Sequence, residues 1–164
     1  MYSHSDVSWI NPSTLGLTAP ESPDMCGLYD GFEALSERNL SGRPVRYVFD
    51  FSRGGIDLSP EEAVDLASFF LELTPSRTVI ALVQEPGAPE RAGERIFRAV
   101  LKGGGFAICG FRTRQAAQIW LDGFVSDCDA KGLVCGPACP HALTTACPAM
   151  PDLVQAPNAQ DGYE

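Results

Sequence analysis

Between Val45 and Leu121 three short apolar runs alternate with three polar-starting segments of helical spacing. No other feature limits the fold so strongly. The runs are "VRYVFDF" (45–51), "TVIALV" (78–83) and "FAICGF" (106–111), rich in β-branched and aromatic residues as strands are. Each is followed by a segment whose apolar residues recur at three and four positions, at 60–73, 89–102 and 113–122. Strand, helix, strand, helix, strand, helix closes only through right-handed crossovers, so the three strands are expected to be parallel. "TVIALV" has no polar alternation, as befits a strand covered on both faces. The expected class is α/β, a small, mostly parallel sheet with covering helices.

The helix starts differ in strength. "SPEEAVDLASFFLEL" places Ser59 as N-cap, Pro60 at the first helical position and Glu62 two residues further on, the pattern of a capping box. Thr113 is the expected cap of "TRQAAQIWL", with Ala116, Ala117, Trp120 and Leu121 facing inward. "LYDGFEALSERNL" (28–40) reads as a further helix stopped by Gly42. The flanks read as irregular: 1–27 is rich in Pro, Ser, Asp and Gly, with a short strand at Thr14–Thr18, and after Gly123 the periodicity dissolves. The expected organisation is an irregular segment over 1–27, one α/β domain over 28–122 and a Cys- and Pro-rich tail over 123–164.

The middle of the chain resembles the STAS or SpoIIAA-like domain, the fold of bacterial anti-sigma-factor antagonists. "YVFDFS", the capped helix after it, "TVIALVQEPGAPERAGERIFRAVL" and "GFAICGFRTRQAAQIWL" carry the resemblance. In the last of these, Phe111, Ala117, Trp120 and Leu121 match a strand ending in Phe that leads through a polar turn into a helix closing with Ala, Trp and Leu. The resemblance implies a non-enzymatic, regulatory protein-interaction module whose partner is another protein. In the antagonist branch a serine at the start of the helix after this strand is phosphorylated, within an Asp-Ser-Ser-Gly motif. Here the region reads "IDLSPEE": Asp57 and Ser59 take similar places, while Pro60, Glu61 and Glu62 replace the rest. Phosphate on Ser59 would meet the charges of Asp57, Glu61 and Glu62, so a capping role for Ser59 is favoured over a switch.

Chemistry is sparse elsewhere. No Gly-x-Ser-x-Gly elbow occurs, and the two histidines, His4 and His141, lie in the flanks, so a catalytic site is not expected. "RGG" (53–55) and "KGGG" (102–105) lack the spacing of a phosphate loop, and no cofactor is expected. Cys128, Cys135, Cys139, His141 and Cys147 are zinc-ligand types without the compact Cys-x2-Cys spacing, and plain thiols in a loose tail are favoured over a metal site. Cys109, within an apolar run, is expected in the core. Asp50, at a strand end, is expected to be hydrated or to pair with a nearby arginine such as Arg53 or Arg112. Arg91, Arg95, Arg98 and Lys102 form a stripe expected to be solvated, with local pairs to Glu90 and Glu94.

The net charge of -9 is concentrated in the two flanks, while 41–122 is balanced, so nucleic acid is not an expected partner. No apolar run spans a bilayer and no leader is visible, which makes a cytoplasmic location the default expectation. In that compartment thiols stay reduced. If the strands are parallel, the loops after their carboxyl ends share one edge, where recognition usually occurs. Ser52, Arg53, Asp57, Ser59, Gln84, Glu85, Arg112 and Arg114 are the expected interaction surface. The alternative function is binding of a small, lipid-like ligand in a groove between helices and sheet, which needs an apolar cavity left unfilled.

Overall fold

The computed structural model describes residues 4–39, 45–75 and 78–130, with the side chains of 124–130 excepted. The elements follow as β1 (Asp6–Asn11), β2 (Thr14–Thr18), α1 (Met25–Arg38), β3 (Arg46–Asp50), α2 (Pro60–Leu73), β4 (Val79–Val83), α3 (Ala92–Gly103), β5 (Ala107–Phe111) and α4 (Arg114–Ala130). They form one five-stranded sheet in the order β1-β2-β3-β4-β5. β1 and β2 are antiparallel, and every later neighbour pairs in parallel, with Phe49 beside Leu82 and Leu82 beside Gly110. The fold is therefore α/β with a mixed sheet, and the three expected strands are parallel.

Alternation along each strand sends side chains to two unlike layers. Tyr47, Phe49, Ile80, Leu82 and Ile108 point to one face and join Leu28, Phe32, Leu66, Phe70 and Phe97 of α1, α2 and α3. Val48, Ala81, Val83, Cys109 and Phe111 point to the other, where α4 lays Ala117 and Leu121 on them. The first layer is aromatic. Phe32 lies 5.2 Å from Phe49 and 5.1 Å from Phe70 between ring centroids, and Phe49 meets Phe70 edge-on at 5.2 Å. Such tilted and edge-to-face contacts add to the burial that already favours large rings in a core.

Local chemistry explains the helix limits. Asp24 caps α1 by accepting from Gly27 N at 2.6 Å. Ser59 accepts from Glu62 N at 3.2 Å while Glu62 accepts from Ser59 N at 2.9 Å, so the expected capping box is present on α2. Thr113 Oγ1 accepts from Ala116 N at the start of α4, as expected.

Four expectations are corrected. The strand expected at Thr14–Thr18 is present as β2, but the rest of the described segment 4–27 is not irregular: β1 pairs with β2 as a hairpin and α1 begins at Met25. β1 alternates poorly because it is an edge strand with little buried surface, which leaves little apolar pattern to read. α3 starts at Ala92 and not at Pro89; its N-cap position, Arg91, supplies no side-chain cap bond. α4 does not stop at 122 but runs through Gly123 to Ala130, since one internal glycine costs only about 1 kcal/mol against alanine. Cys109 is buried as expected, but it is disulfide-bonded and not a free thiol.

Candidate functional site

The carboxyl ends of β3, β4 and β5 lie side by side. Phe51 N donates to Val83 O and Gln84 N donates to Phe111 O, both at 2.8 Å, so the ladder continues one residue past β3 and past β4 before the loops diverge. The loop after β3 is then held down by its own apolar residues. Phe51, Ile56 and Leu58 are buried. Gly54 lies against the backbone of Glu21, where a Cβ would come within 1.7 Å of the carbonyl oxygen. Gly55 has φ +71, a left-handed conformation that suits glycine.

Most of the expected surface residues are engaged in holding this edge together. Asp50, 6 % exposed, accepts from Ser52 N at 3.0 Å and from Ser52 Oγ at 2.6 Å. Its other oxygen faces Arg114 Nη1 at 3.6 Å, so the partner of Asp50 is neither Arg53 nor Arg112. Arg112 instead donates through Nη1 to the carbonyls of Glu85 at 3.0 Å and Ala88 at 2.6 Å, fixing the turn after β4. Gln84 donates to Glu94, and Glu85 pairs with Arg91 at 3.5 Å. Ser59 is spent on its cap. Arg53 and Asp57 differ: both are exposed and neither has a hydrogen bond or ion pair among the described residues.

The stripe on α3 also departs from expectation. Arg95 and Arg98 do pair with Glu90, at 3.5 and 2.8 Å. Glu94 does not join them as a surface partner. It is 6 % exposed and turns under the helix to Gln84. With Glu85, Ala88, Pro89, Glu90, Arg91 and Gly55, these two residues line an open depression of about 230 Å3, mouth included. Sequence reasoning overlooked Glu94 as a site residue. The signal was its place on the inward face of α3 with Phe97 and Leu101.

Ser52 and Asp50 are a hydroxyl and a carboxylate in contact, but the described residues supply no imidazole beside them; His4, exposed near the start of the chain, is the histidine they include. Among the described residues no group of three His, Cys, Asp or Glu is placed to hold a metal. The tail residues of zinc-ligand type, Cys135, Cys139, His141, Cys147 and the side chain of Cys128, for which plain thiols are favoured over a metal site, lie outside the described residues. No helix among the described residues is long and apolar enough to cross a membrane. Comparison with protein-family models, with curated proteins and with solved structures finds no match.

Proposed function

We propose that this protein is a non-enzymatic interaction or regulatory module of the STAS or SpoIIAA-like kind, docking another protein at the carboxyl edge of its parallel strands. The observation that carries the reading is the division of labour at that edge. Asp50, Ser52, Ser59 and Arg112 are committed to internal bonds, which leaves Arg53 and Asp57 as exposed, uncommitted charges of opposite sign on a loop pinned by Gly54 and Phe51. Unpaired charges on a pinned loop suit recognition, because little loop ordering remains to be lost on binding. The capped serine at the start of the helix after β3 also supports the resemblance to the antagonists, although its hydroxyl serves as a cap here.

The test is affinity capture from the native host with wild type and with Arg53→Ala and Asp57→Ala. Both variants should keep stability within about 0.5 kcal/mol, as exposed positions do, and lose the captured protein. Unchanged capture by both would place the docking surface elsewhere. The lipid-binding alternative needs unfilled apolar space, and the layer between the sheet and α1–α3 is occupied by Phe32, Phe49, Phe70 and Phe97. Native mass spectrometry of protein purified from cells decides between them: a retained small molecule supports the alternative.

A further inference from the structure

Cys109 is disulfide-bonded, and the other half of its bond follows by exclusion. The chain has five further cysteines, Cys26, Cys128, Cys135, Cys139 and Cys147. Cys26 is free and exposed. It also belongs to α1, which packs on the aromatic face of the sheet, whereas Cys109 points to the opposite face. The sheet stands between the two, and a disulfide requires Cα atoms within about 7 Å of each other. A second copy of the chain is no better placed. Cys109 is 2 % exposed and shares its layer with Ala117 and Leu121 of α4, so an outside thiol does not reach its sulfur. The cysteines that remain all follow Leu121 in the chain.

We propose that Cys109 is bridged to one of Cys128, Cys135, Cys139 and Cys147, so that the Cys- and Pro-rich C-terminal segment is covalently moored to β5, the last strand in the sheet order. Closing the bond takes two protons and two electrons from the two thiols. The electrons pass to a disulfide-bearing oxidant, which leaves as a dithiol. Thiol exchange needs access to a sulfur, and burial withholds that of Cys109. The bridge is therefore structural and not a freely exchanging switch. Such bonds persist in oxidising compartments and are rare where thiols are kept reduced. The bridge thus argues for an oxidising compartment over the cytoplasmic default. It holds whether or not the carboxyl edge of the sheet docks a protein.

The test is peptide mapping of the full chain from its native host, lysed in urea with N-ethylmaleimide so that no bond forms afterwards. Trypsin without reductant separates the cysteines, because Lys131 is the last basic residue. Cys109 falls in 103–112, Cys128 in 115–131, and Cys135, Cys139 and Cys147 in 132–164. Peptide 103–112 should be recovered mainly joined to 115–131 or to 132–164, at the summed mass less two hydrogens, and should separate on reduction. Tandem spectra then name the partner residue. Cys26 should carry the maleimide, and the unreduced protein should run as a monomer on a denaturing gel. Peptide 103–112 found mainly with maleimide, joined to the Cys26 peptide, joined to a second copy of itself or joined to a small thiol would overturn the proposal. A disulfide-linked dimer that contains the bond would overturn it as well. The mapping is made on wild type, so it does not depend on a variant that could misfold.

Discussion

Gly93, in the first turn of α3, touches the carbonyl of Leu58, and a Cβ at this position would lie 2.1 Å from that oxygen. The contact joins α3 to the loop that delivers Ser59 to α2, so the two helices that flank the candidate site are locked by a backbone approach that only glycine permits.

Gly93→Ala should therefore destabilise the fold by about 3 kcal/mol, the upper part of the range for overpacking, because the obstacle is backbone and cannot rotate away. Gly87→Ala is the control. Gly87 has φ +76 but nothing within 4 Å of a new Cβ, so only the conformational cost of about 1 kcal/mol remains. Urea unfolding with a shared m-value measures both. Equal losses would mean that α3 shifts to admit a methyl group at Gly93.

The Asp50 cluster predicts an asymmetry between its two partners. Arg114 is half exposed and its nitrogen lies 3.6 Å away, so Arg114→Ala should cost less than about 1 kcal/mol. Asp50→Ala strips the acceptor from both Ser52 N and Ser52 Oγ in a nearly buried position. That should cost about 2 kcal/mol or more. The double variant should be close to Asp50→Ala alone, since the arginine has then lost its partner already.

Ser59→Ala should cost about 1 kcal/mol through loss of one half of the capping box. Ser59→Asp should be nearly neutral, because aspartate caps as well and a negative charge suits a helix N-terminus. Under the cap-only reading Ser59→Asp also leaves partner capture unchanged. Phosphopeptides containing Ser59 recovered from cells at high occupancy would restore the switch that the family resemblance implies.

Tyr47 supplies a pH test of the core. Burial pushes its phenol up to about 12, against partial offset by side-chain hydrogen bonds with Thr74 and Asn39. A raised acid pKa means that the folded state holds the proton more tightly than the unfolded chain, whose tyrosine ionises near 10. The stability this represents is complete below about pH 10 and is lost as pH climbs toward 12. Ultraviolet difference absorbance should show the Tyr47 ionisation merging with alkaline unfolding, and Tyr47→Phe should remove that late step. A Tyr47 titration near 10 in folded protein would mean that the ring is wetter than its place beside Phe49 and Phe70 implies.

The sequence made the central α/β units legible because both signals were present there: apolar runs buried on two faces at Tyr47–Phe49 and Ile80–Leu82, and a side-chain cap at Ser59. It was poorly legible where one signal was missing. β1 is an edge strand with Trp9 still 40 % exposed, so it shows no clean alternation. α3 has no side-chain cap, and the close approach of Gly93 to Leu58 in its first turn is one that no local pattern announces. The site divides in the same way. Topology put Ser52, Gln84 and Arg112 on one edge. The choice of Arg114 over Arg53 for Asp50, and the burial of Glu94, depend on how α4 and α3 are seated. Glu94 did leave a trace, as a carboxylate on the apolar face of its own helix.

The spatial order of the strands repeats their order in the chain. No strand is threaded between two already placed, and each β-strand joins an edge that earlier residues have already built. The β1–β2 hairpin, made of the most local pairing in the sheet, is the template from which the rest extends. A chain leaving the ribosome can thus gain native structure one unit at a time, without waiting for its end. Stalled chains ending after Gly103 should already protect β2, β3 and β4 from proteolysis, lacking only β5 and the α4 cover. Closing contacts between distant parts of a chain slows folding and lengthens exposure of unpaired edges, and this sheet postpones none of its pairings in that way.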